Sequence, residues 1–340
     1  MYKSFLILIP KRFGEIVLAT PIFRNIKSNL PESIITVTIY DRYKSIIENN
    51  PYIDHIISLD EKRFVSEFLK SLFKERNNYD VTIDILSLPS TALITWYINS
   101  PIRIGLNKRV RKYFYNLHYN EQRLNNTPYM ADFRLNSIRL MSMKVDSVKR
   151  DIFIDDISFE QAMKILSVSG VNEDEKYITI TPISPAFYKL WPHRYYARLI
   201  ERIYCHLKYK IILLCGPGEY WHLEQIGHMM GGKYDVARLE IDGIKKIAAI
   251  ISKSSLHIGN DGGLNHIAQS LNIPTITIFG PTDYRIWNAP EEHCIAVSKE
   301  VNCRRRKCYL NCTNNLFCLR KITPEEVFEK VKFLLSKYAN

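Results

Sequence analysis

A short stretch in the C-terminal third of the chain carries the residues best suited to bind an anion. It reads Asp261, Gly262, Gly263 and, three positions later, His266. An apolar run precedes it and a helical pattern follows, so we predict a turn between a buried strand and a helix. The free N–H groups and the dipole of such a helix favour a phosphate or diphosphate. Asp261 would hold the loop or contact sugar hydroxyls, and His266 would contact the anion or simply be a buried core residue.

An acidic residue follows the first predicted strand in a similar way. Gly14 and Glu15 come after the apolar run 5–9 and before a helical pattern that extends from Ile16 to Leu30. A carboxylate at the end of a strand can act as a general base toward a bound hydroxyl. An acid at a helix N-terminus is also favoured by about 0.3–1 kcal/mol for electrostatic reasons alone. The residues by themselves leave both roles open.

Three further polar residues follow predicted strands in the second half. Lys189 and Ser184 come after the strand predicted at 177–181, where a lysine can neutralise a leaving diphosphate and a hydroxyl can bind the same phosphate. Glu219 comes after the strand predicted at 210–215, where a carboxylate can accept hydrogen bonds from ribose hydroxyls. The simpler alternatives are a solvated lysine beside a buried tryptophan and an acid at a helix N-cap.

Strand and helix patterns alternate through both halves of the chain, which predicts an α/β protein with parallel sheets. The predicted elements include strands at 34–40 and 275–279, a helix at 62–75, and one helix that carries Met130, Leu135, Ile138 and Met141. The pattern is weakest between residues 144 and 176. We therefore predict Rossmann-like domains at residues 1–170 and 171–322, facing a central cleft. A C-terminal helix is predicted at 323–340, with Thr323 and Glu326 as a capping box. We expect this helix to cross back to the first domain.

These motifs resemble those of glycosyltransferase family 9, the ADP-heptose:lipopolysaccharide heptosyltransferases. The family pattern is Asp-Thr-Gly-x-x-His, then a helix, a proline, a strand and Phe-Gly-x-Thr. The matching residues are Asp261, Gly263, His266, Pro274, Phe279, Gly280 and Thr282. Lys189 matches a family lysine two residues before Trp-Pro. Two positions depart from the pattern: Glu15 replaces an aspartate, and Gly262 replaces a threonine.

The resemblance implies a GT-B fold and an inverting transfer of heptose from ADP-L-glycero-D-manno-heptose to a lipopolysaccharide inner-core acceptor. Glu15 would then be the general base. The loop that carries Glu219 would contact the donor nucleoside. Lys189, the Gly262–Gly263 backbone and His266 would stabilise the departing diphosphate. No metal and no cofactor are expected, because the lysine and the helix N-terminus would take the role of a cation.

The net charge of +12 favours an acidic partner, and the excess is concentrated in one region. Between residues 101 and 150 there are eleven lysines and arginines against three acids. We predict acceptor binding by Lys11, Arg12, Arg109 and Arg111. The expected partners are a nucleotide sugar, a phosphorylated glycolipid and an anionic inner-leaflet membrane surface. A merely solvated basic face is the alternative. Nucleic acid is not expected, because no zinc-finger, RRM or helix-turn-helix signature is present.

The apolar runs are too short to span a membrane, and the short apolar core of the first residues leads us to expect no signal peptide. We expect a cytoplasmic protein, peripheral at the inner face of the inner membrane of a Gram-negative bacterium.

Four of the seven cysteines lie close together, at Cys303, Cys308, Cys312 and Cys318. Their spacing, C-x4-C-x3-C-x5-C, differs from the C-x2-C spacing of strong zinc motifs. They surround the basic run 304–307. We assign no metal ligand, and the sequence leaves a structural metal open.

Two other functions remain compatible with the sequence. One is a GT-B transferase that uses another nucleotide sugar for O-antigen or capsule. The other is a GT-B-like binding protein without turnover.

Overall fold

The computed structural model describes residues 2–61, 73–120, 128–172, 174–207, 209–301, 303, 308, 312 and 315–338. The chain divides into two compact units, Met1–Phe153 and Ile154–Asn340. Each unit contains a six-stranded sheet. All neighbouring strands in both sheets are parallel. The predicted α/β class is therefore confirmed.

The first sheet has the strand order β3-β2-β1-β4-β5-β6, which is typical of dinucleotide-binding folds. Its strands are β1 (Ser4–Leu8), β2 (Ile34–Tyr40), β3 (His55–Leu59), β4 (Val81–Asp84), β5 (Ile102–Leu106) and β6 (Leu117–Tyr119). The strand order reverses between β1 and β4, so ligands are expected beyond the carboxyl ends of these two strands. The sequence analysis did not predict β6, whose three residues are too few to give a pattern.

The prediction of one continuous helix from Ile16 to Leu30 is wrong. The structure has two helices here, Phe13–Val17 and Thr20–Asn29. Pro21 explains the break, because it has no N–H to donate to the carbonyl of Val17 and its ring would clash with that group. The hydroxyl of Thr20 donates to the Val17 carbonyl instead, at 2.8 Å.

The other helices of the first unit are short. They are Pro89–Ile98, Met130–Arg134 and Asn136–Arg139, with 3-10 helices at Asp41–Ile46, Phe73–Glu75 and Arg109–Phe114. The single helix predicted across Met130, Leu135, Ile138 and Met141 is thus two shorter ones. The helix predicted at 62–75 lies mostly outside the described residues.

The second sheet repeats the same topology, in the order β12-β11-β10-β7-β8-β9. Its strands are β7 (Tyr177–Thr181), β8 (Lys210–Cys215), β9 (Val236–Glu240), β10 (Leu256–Asn260), β11 (Thr275–Phe279) and β12 (Cys294–Ser298). The order reverses between β7 and β10. The carboxyl ends of β7 and β10 are therefore the expected ligand position of this unit.

The helices of the second unit begin earlier than the predicted domain boundary at residue 170. They are Asp156–Val168, His193–His206, Tyr220–Met230, Ile244–Ser252, Gly263–Ser270, Tyr284–Trp287, Phe317–Arg320 and Pro324–Tyr338, with a 3-10 helix at Phe187–Lys189. Asp155 caps the first of these through the N–H of Ser158. Lys245, itself buried, pairs with the Asp155 carboxylate at 3.0 Å and so ties that helix to the second unit.

The last helix, Pro324–Tyr338, was expected to cross back to the first domain. Its apolar side chains, among them Val327, Val331 and Leu334, lie in the core of the second unit itself. The N–H of Glu326 donates to the Thr323 hydroxyl at 3.2 Å, which confirms the predicted cap of this helix.

A histidine occupies the middle of the second sheet. His257, on β10, is fully buried, and its two ring nitrogens lie 2.9 Å and 3.2 Å from the hydroxyls of Thr179 and Thr181. Burial lowers the pKa of His257 to about 3. The folded protein therefore holds a neutral imidazole at this position.

Replacing His257 with glutamine should reduce the sensitivity of the fold to acid. The unfolded chain binds a proton at this histidine below about pH 6.5, whereas the folded chain does so only near the lowered pKa of about 3. The contribution of His257 to the free energy of unfolding is fully present above pH ~6.5. It decreases as the pH falls toward ~3, by up to about 1.4 kcal/mol per pH unit. Glutamine can bond both threonines and does not titrate.

The measurement is the thermal unfolding midpoint between about pH 7.5 and about pH 5. The matched control is the exposed His55→Gln, which should follow the unmodified protein. Burial also lowers the pKa of His222, to about 4, so part of the acid sensitivity should remain. If His257→Gln and His55→Gln lose stability equally on acidification, His257 does not contribute to the acid sensitivity of the fold.

Candidate active site

The turn after β10 presents the start of a helix toward the carboxyl edge of the second sheet. Gly263 begins the helix, and Gly262 before it has extended backbone, with φ −165°. The side chain of Asn265 donates to the Asn260 carbonyl at 2.6 Å, and the N–H of Asp261 donates to Ile278 at 3.1 Å. These bonds fix the turn. The first N–H groups of the helix have no partner within it and can bind an anion.

Lys189, Asp261 and Thr282 form one network beside this helix start. The ammonium of Lys189 lies 2.7 Å from Oδ2 of Asp261, and the Thr282 hydroxyl donates to the same oxygen at 2.5 Å. The Asp261 side chain is 5% exposed and that of Lys189 is 23% exposed. The lysine thus remains accessible, and its other two N–H donors can bind phosphate oxygens.

Asn260 fixes the loop that carries Lys189. Its side-chain oxygen accepts from the N–H of Trp191 at 2.9 Å, and its side-chain nitrogen donates to the carbonyl of Ile183 at 3.2 Å. Gly280 allows the loop after β11 to pack closely here, because a Cβ at this position would lie 3.1 Å from the Tyr188 carbonyl oxygen. The loops after β7, β10 and β11 are therefore held together as one unit.

Ser184 and His266, both predicted to contact the donor, are nearly buried. The Ser184 hydroxyl accepts from the N–H of Ala186 at 3.3 Å, which makes a local turn in the same loop. His266 lies in the first turn of the helix Gly263–Ser270 and is 7% exposed. Contact of either residue with a donor stays a prediction.

Glu219 lies at the carboxyl end of β8, but its carboxylate does not cap the helix that follows. Instead, Oε2 accepts from the N–H of Gly216 at 3.2 Å. Burial raises the pKa of Glu219, and the nearby negative charge of Glu240 adds to this. This half-buried carboxylate suits the predicted ribose contact, which stays a prediction.

An aromatic group beside Glu219 was missed by the sequence analysis. The ring of Trp221 stacks on His222 with centroids 3.6 Å apart, and His222 Nδ1 lies 2.8 Å from His193 Nε2. Burial and the neighbouring His193 lower the pKa of His222 to about 4, so this ring is neutral. The three residues come from the starts of two helices, which is why no single stretch of sequence indicates them.

In the first unit, Glu15 is held by an arginine from the basic region. Arg134 Nη2 pairs with Oε2 of Glu15, and Arg134 Nη1 donates to the Glu15 backbone carbonyl. The arginine is 3% exposed, while the Glu15 side chain is 20% exposed. Glu15 lies in the first turn of the helix Phe13–Val17 rather than in the turn before it. Arg134 was not predicted, since nothing in its local sequence marks a partner at position 15.

This geometry leaves Glu15 able to accept a proton. Among the described residues, Oε1 makes no hydrogen bond, so a substrate hydroxyl can approach it. Arg134 fixes the carboxylate and supplies a positive charge that cannot itself be titrated away. The same contacts are also what a purely structural ion pair would make, so the geometry permits the catalytic role without testing it.

A second acid lies at the carboxyl edge of the first sheet, at the end of β4. Asp84 is fully buried and accepts from the N–H of Ser87 at 2.8 Å and from the Tyr115 hydroxyl at 2.8 Å. Burial raises the pKa of Asp84, and the hydroxyl of Thr91 opposes the shift. With its oxygens occupied, Asp84 holds loops in place and does not offer a base to a substrate.

The four cations predicted to bind the acceptor lie in two loops. Lys11 and Arg12 directly precede the helix that carries Glu15, and Arg12 is exposed. Arg109 and Arg111 are in the 3-10 helix after β5, where Arg109 is exposed. Arg111 donates to the carbonyl of Ser87 and therefore supports a neighbouring loop. Acceptor binding by these residues stays a prediction.

The described residues contain no group of three or more histidines, cysteines, aspartates or glutamates that could hold a metal ion. Among the described residues the clustered cysteines form no disulfide, and burial raises the pKa of Cys318, as do the nearby Cys303, Cys312 and Cys308. The basic run 304–307 lies outside the described residues. Within the same described part, no helix is both long and apolar enough to cross a membrane.

Comparisons with known proteins agree with this fold and these motifs. Lipopolysaccharide heptosyltransferase 1 of Campylobacter coli is 26% identical over 343 residues, covering 94% of this chain and 96% of that protein. A glycosyltransferase family 9 crystal structure from Veillonella parvula superposes with a TM-score of 0.83 at 21% identity, covering 99% of this chain and 98% of the other.

A further solved structure is the E. coli heptosyltransferase WaaC with ADP-2-deoxy-2-fluoro heptose. It has a TM-score of 0.72 at 16% identity and covers 97% of this chain and 99% of the other. These similarities confirm the predicted GT-B fold class.

Residues 67–314, more than half of the chain, match the sequence profile of glycosyltransferase family 9 (heptosyltransferase). The chain therefore belongs to this family and is a glycosyltransferase.

Proposed function

We propose that this protein transfers heptose, with inversion, from ADP-L-glycero-D-manno-heptose to a sugar of a lipopolysaccharide inner core. The observation that carries the proposal is the network of Lys189, Asp261 and Thr282 beside the free helix start at Gly263. The Lys189 ammonium and the N–H groups at the helix start can together bind a diphosphate, at the point where the second sheet reverses its strand order. The ADP-sugar complex of the E. coli relative supports an ADP-heptose donor.

In the proposed reaction, a hydroxyl of the acceptor gives its proton to Oε1 of Glu15 while its oxygen attacks the anomeric carbon. The bond between that carbon and the diphosphate breaks, and ADP leaves with the bonding electron pair. Attack opposite to the leaving group inverts the anomeric configuration. Lys189 and the N–H groups of Gly262 and Gly263 stabilise the charge that develops on the diphosphate. His266 adds a donor, and Glu219 binds the ribose.

The proposal needs no divalent cation, because a lysine and a helix dipole already meet the diphosphate. The acceptor is a phosphorylated glycolipid, bound by Lys11, Arg12, Arg109 and Arg111 of the first unit. Such an acceptor lies in a membrane, so we place the protein at the inner face of the inner membrane. The lipopolysaccharide heptosyltransferase relatives support this class of acceptor.

Purified protein should release ADP from ADP-heptose in the presence of a heptose- or Kdo-containing inner-core acceptor. The product glycoside should have the anomeric configuration opposite to that of the donor, as read by NMR coupling constants. UDP- and GDP-sugars should give no product. Turnover of a UDP- or GDP-sugar, with none of ADP-heptose, would establish the alternative in which another nucleotide sugar serves O-antigen or capsule synthesis.

Replacing Glu15 with glutamine should lower kcat by about 100- to 10,000-fold, because the base is lost, and leave ADP affinity unchanged. Glutamine keeps an oxygen that can accept from Arg134, so the fold should tolerate the change. The measurement is initial-rate kinetics together with calorimetry of ADP binding. The matched control is Glu48→Gln, a half-buried acid on the same unit. Unchanged kcat in Glu15→Gln would mean that the acid is structural and that transfer does not use it as the base.

Introducing the family threonine at Gly262 should tighten donor binding several-fold. Gly262 has extended backbone that any residue can adopt, and an added Cβ would meet only the Asn260 carbonyl, at 3.6 Å. A threonine there supplies a hydroxyl to the phosphate without a clash. As an N-cap it changes helix stability by only a few tenths of a kcal/mol.

The control for this variant is Gly259→Thr, three positions earlier on β10. A Cβ at Gly259 would lie 2.5 Å from the Thr181 hydroxyl and 2.6 Å from Asn265 Oδ1, so this variant should unfold at a lower temperature. Calorimetry of ADP-heptose and thermal unfolding distinguish the two. If Gly262→Thr binds ADP-heptose with the same affinity as the unmodified protein, the added hydroxyl does not contact the diphosphate, and the predicted position of the diphosphate is wrong.

A further inference from the structure

One surface of the first unit combines exposed aromatic and aliphatic side chains with positive charge. It is formed by the helix Pro89–Ile98 and the 3-10 helix Arg109–Phe114, which pack against each other. Its exposed apolar residues are Leu93 (53%), Trp96 (55%), Val110 (71%) and Tyr113 (76%). Monomeric proteins seldom expose several large apolar side chains together unless the patch binds something.

The exposed residues form two pairs, one on each helix. Leu93 and Trp96 are three positions apart on an α-helix, which puts them on one face. Val110 and Tyr113 are three positions apart on a 3-10 helix, whose three-residue turn aligns them. The two helices are in contact, so the two exposed pairs lie on adjoining elements of the first unit.

The stretch of chain that forms this patch carries charge of one sign. From Ile85 to Asn120 the chain contains five lysines and arginines and no aspartate or glutamate. Lys108 directly precedes the 3-10 helix and Lys112 lies within it, and the Lys112 ammonium lies 5.2 Å from the centre of the Tyr113 ring. The acids that bound this run are Asp84, which is fully buried, and Glu121, which lies outside the described residues.

We propose that this patch, the helix Pro89–Ile98 and the 3-10 helix Arg109–Phe114 with the preceding Lys108, docks the protein on an anionic membrane surface. Tryptophan and tyrosine are the side chains enriched at the level of lipid headgroups. Lysines and arginines beside them are attracted by the negative potential of anionic lipids. The proposal rests on the proposed function only for the identity of the membrane, the one that holds the glycolipid acceptor. The location of the patch follows from the exposed apolar side chains and the basic residues beside them.

The first experiment measures sedimentation of the purified protein with phosphatidylcholine vesicles, with and without phosphatidylglycerol. Binding should require phosphatidylglycerol and should weaken as salt is raised, because screening shortens the range of the attraction. Trp96→Ser/Tyr113→Ser should lower the partition coefficient at least about tenfold. The matched control is Trp221→Ser, an equally exposed tryptophan (53%) of the second unit, which should bind as the unmodified protein does.

The second experiment reverses charge at the patch. Lys108→Glu/Lys112→Glu should lower the partition coefficient at least about tenfold. Lys233→Glu/Lys253→Glu makes the same change in net charge at exposed positions of the second unit and should lower it less. Equal losses in the two variants would mean that overall charge alone drives binding and would overturn the proposal.

Other results that would overturn it are equal binding to vesicles of both compositions, and unchanged binding of Trp96→Ser/Tyr113→Ser. Binding of the patch to single-stranded oligonucleotides but not to vesicles would identify a different partner and also overturn it.

Heptosyl transfer to a soluble, deacylated acceptor keeps the two proposals separate. Trp96→Ser/Tyr113→Ser should retain this activity while losing vesicle binding. A protein that binds vesicles without transferring heptose would overturn the proposed function alone. If the protein transfers heptose but does not bind vesicles, only the proposed docking surface is overturned.

Discussion

The contact between Lys189 and Asp261 is the constraint on which the second unit's site depends. It joins the loops after β7 and β10, and Thr282 adds the loop after β11 to the same carboxylate oxygen. A nearly buried aspartate without a cation would cost several kcal/mol of desolvation, so the lysine cannot leave easily. A diphosphate that binds here therefore meets an ammonium already in position, beside N–H groups that the fold leaves open.

The first unit has a similar arrangement, in which the charged side chain is an acid instead of a lysine. Its sheet has the same strand order, and Glu15 follows its first strand much as Lys189 follows β7. A buried arginine, Arg134, fixes the acid there. Each unit thus offers one charged side chain, held by a partner of opposite sign, at the edge where parallel sheets bind ligands. Within the proposed function, one charge serves the leaving group and the other serves the acceptor hydroxyl.

Local patterns predicted most of the buried strands, but they missed β6, β9 and β12, and they did not predict the partners of the site residues. The strands at Ile34–Tyr40 and Thr275–Phe279 match their predicted bounds, because dense β-branched runs end at glycine, proline or acidic turns. The Glu15–Arg134 pair spans 119 positions, so only the fold brings it together. Arg111 was predicted to bind acceptor from its charge alone, yet its guanidinium bonds to Ser87. Pro21 lies inside the helix predicted from Ile16 to Leu30, and its effect on the carbonyl four residues upstream was overlooked.

The most direct test of the account is a crystal structure of the protein with ADP-heptose or a non-hydrolysable analogue. The account predicts diphosphate oxygens within about 3 Å of the Gly263 N–H and the Lys189 ammonium, with the anomeric carbon directed toward the Glu15 carboxylate. A nucleotide bound away from the turn after β10, with Lys189 still paired only with Asp261, would contradict it.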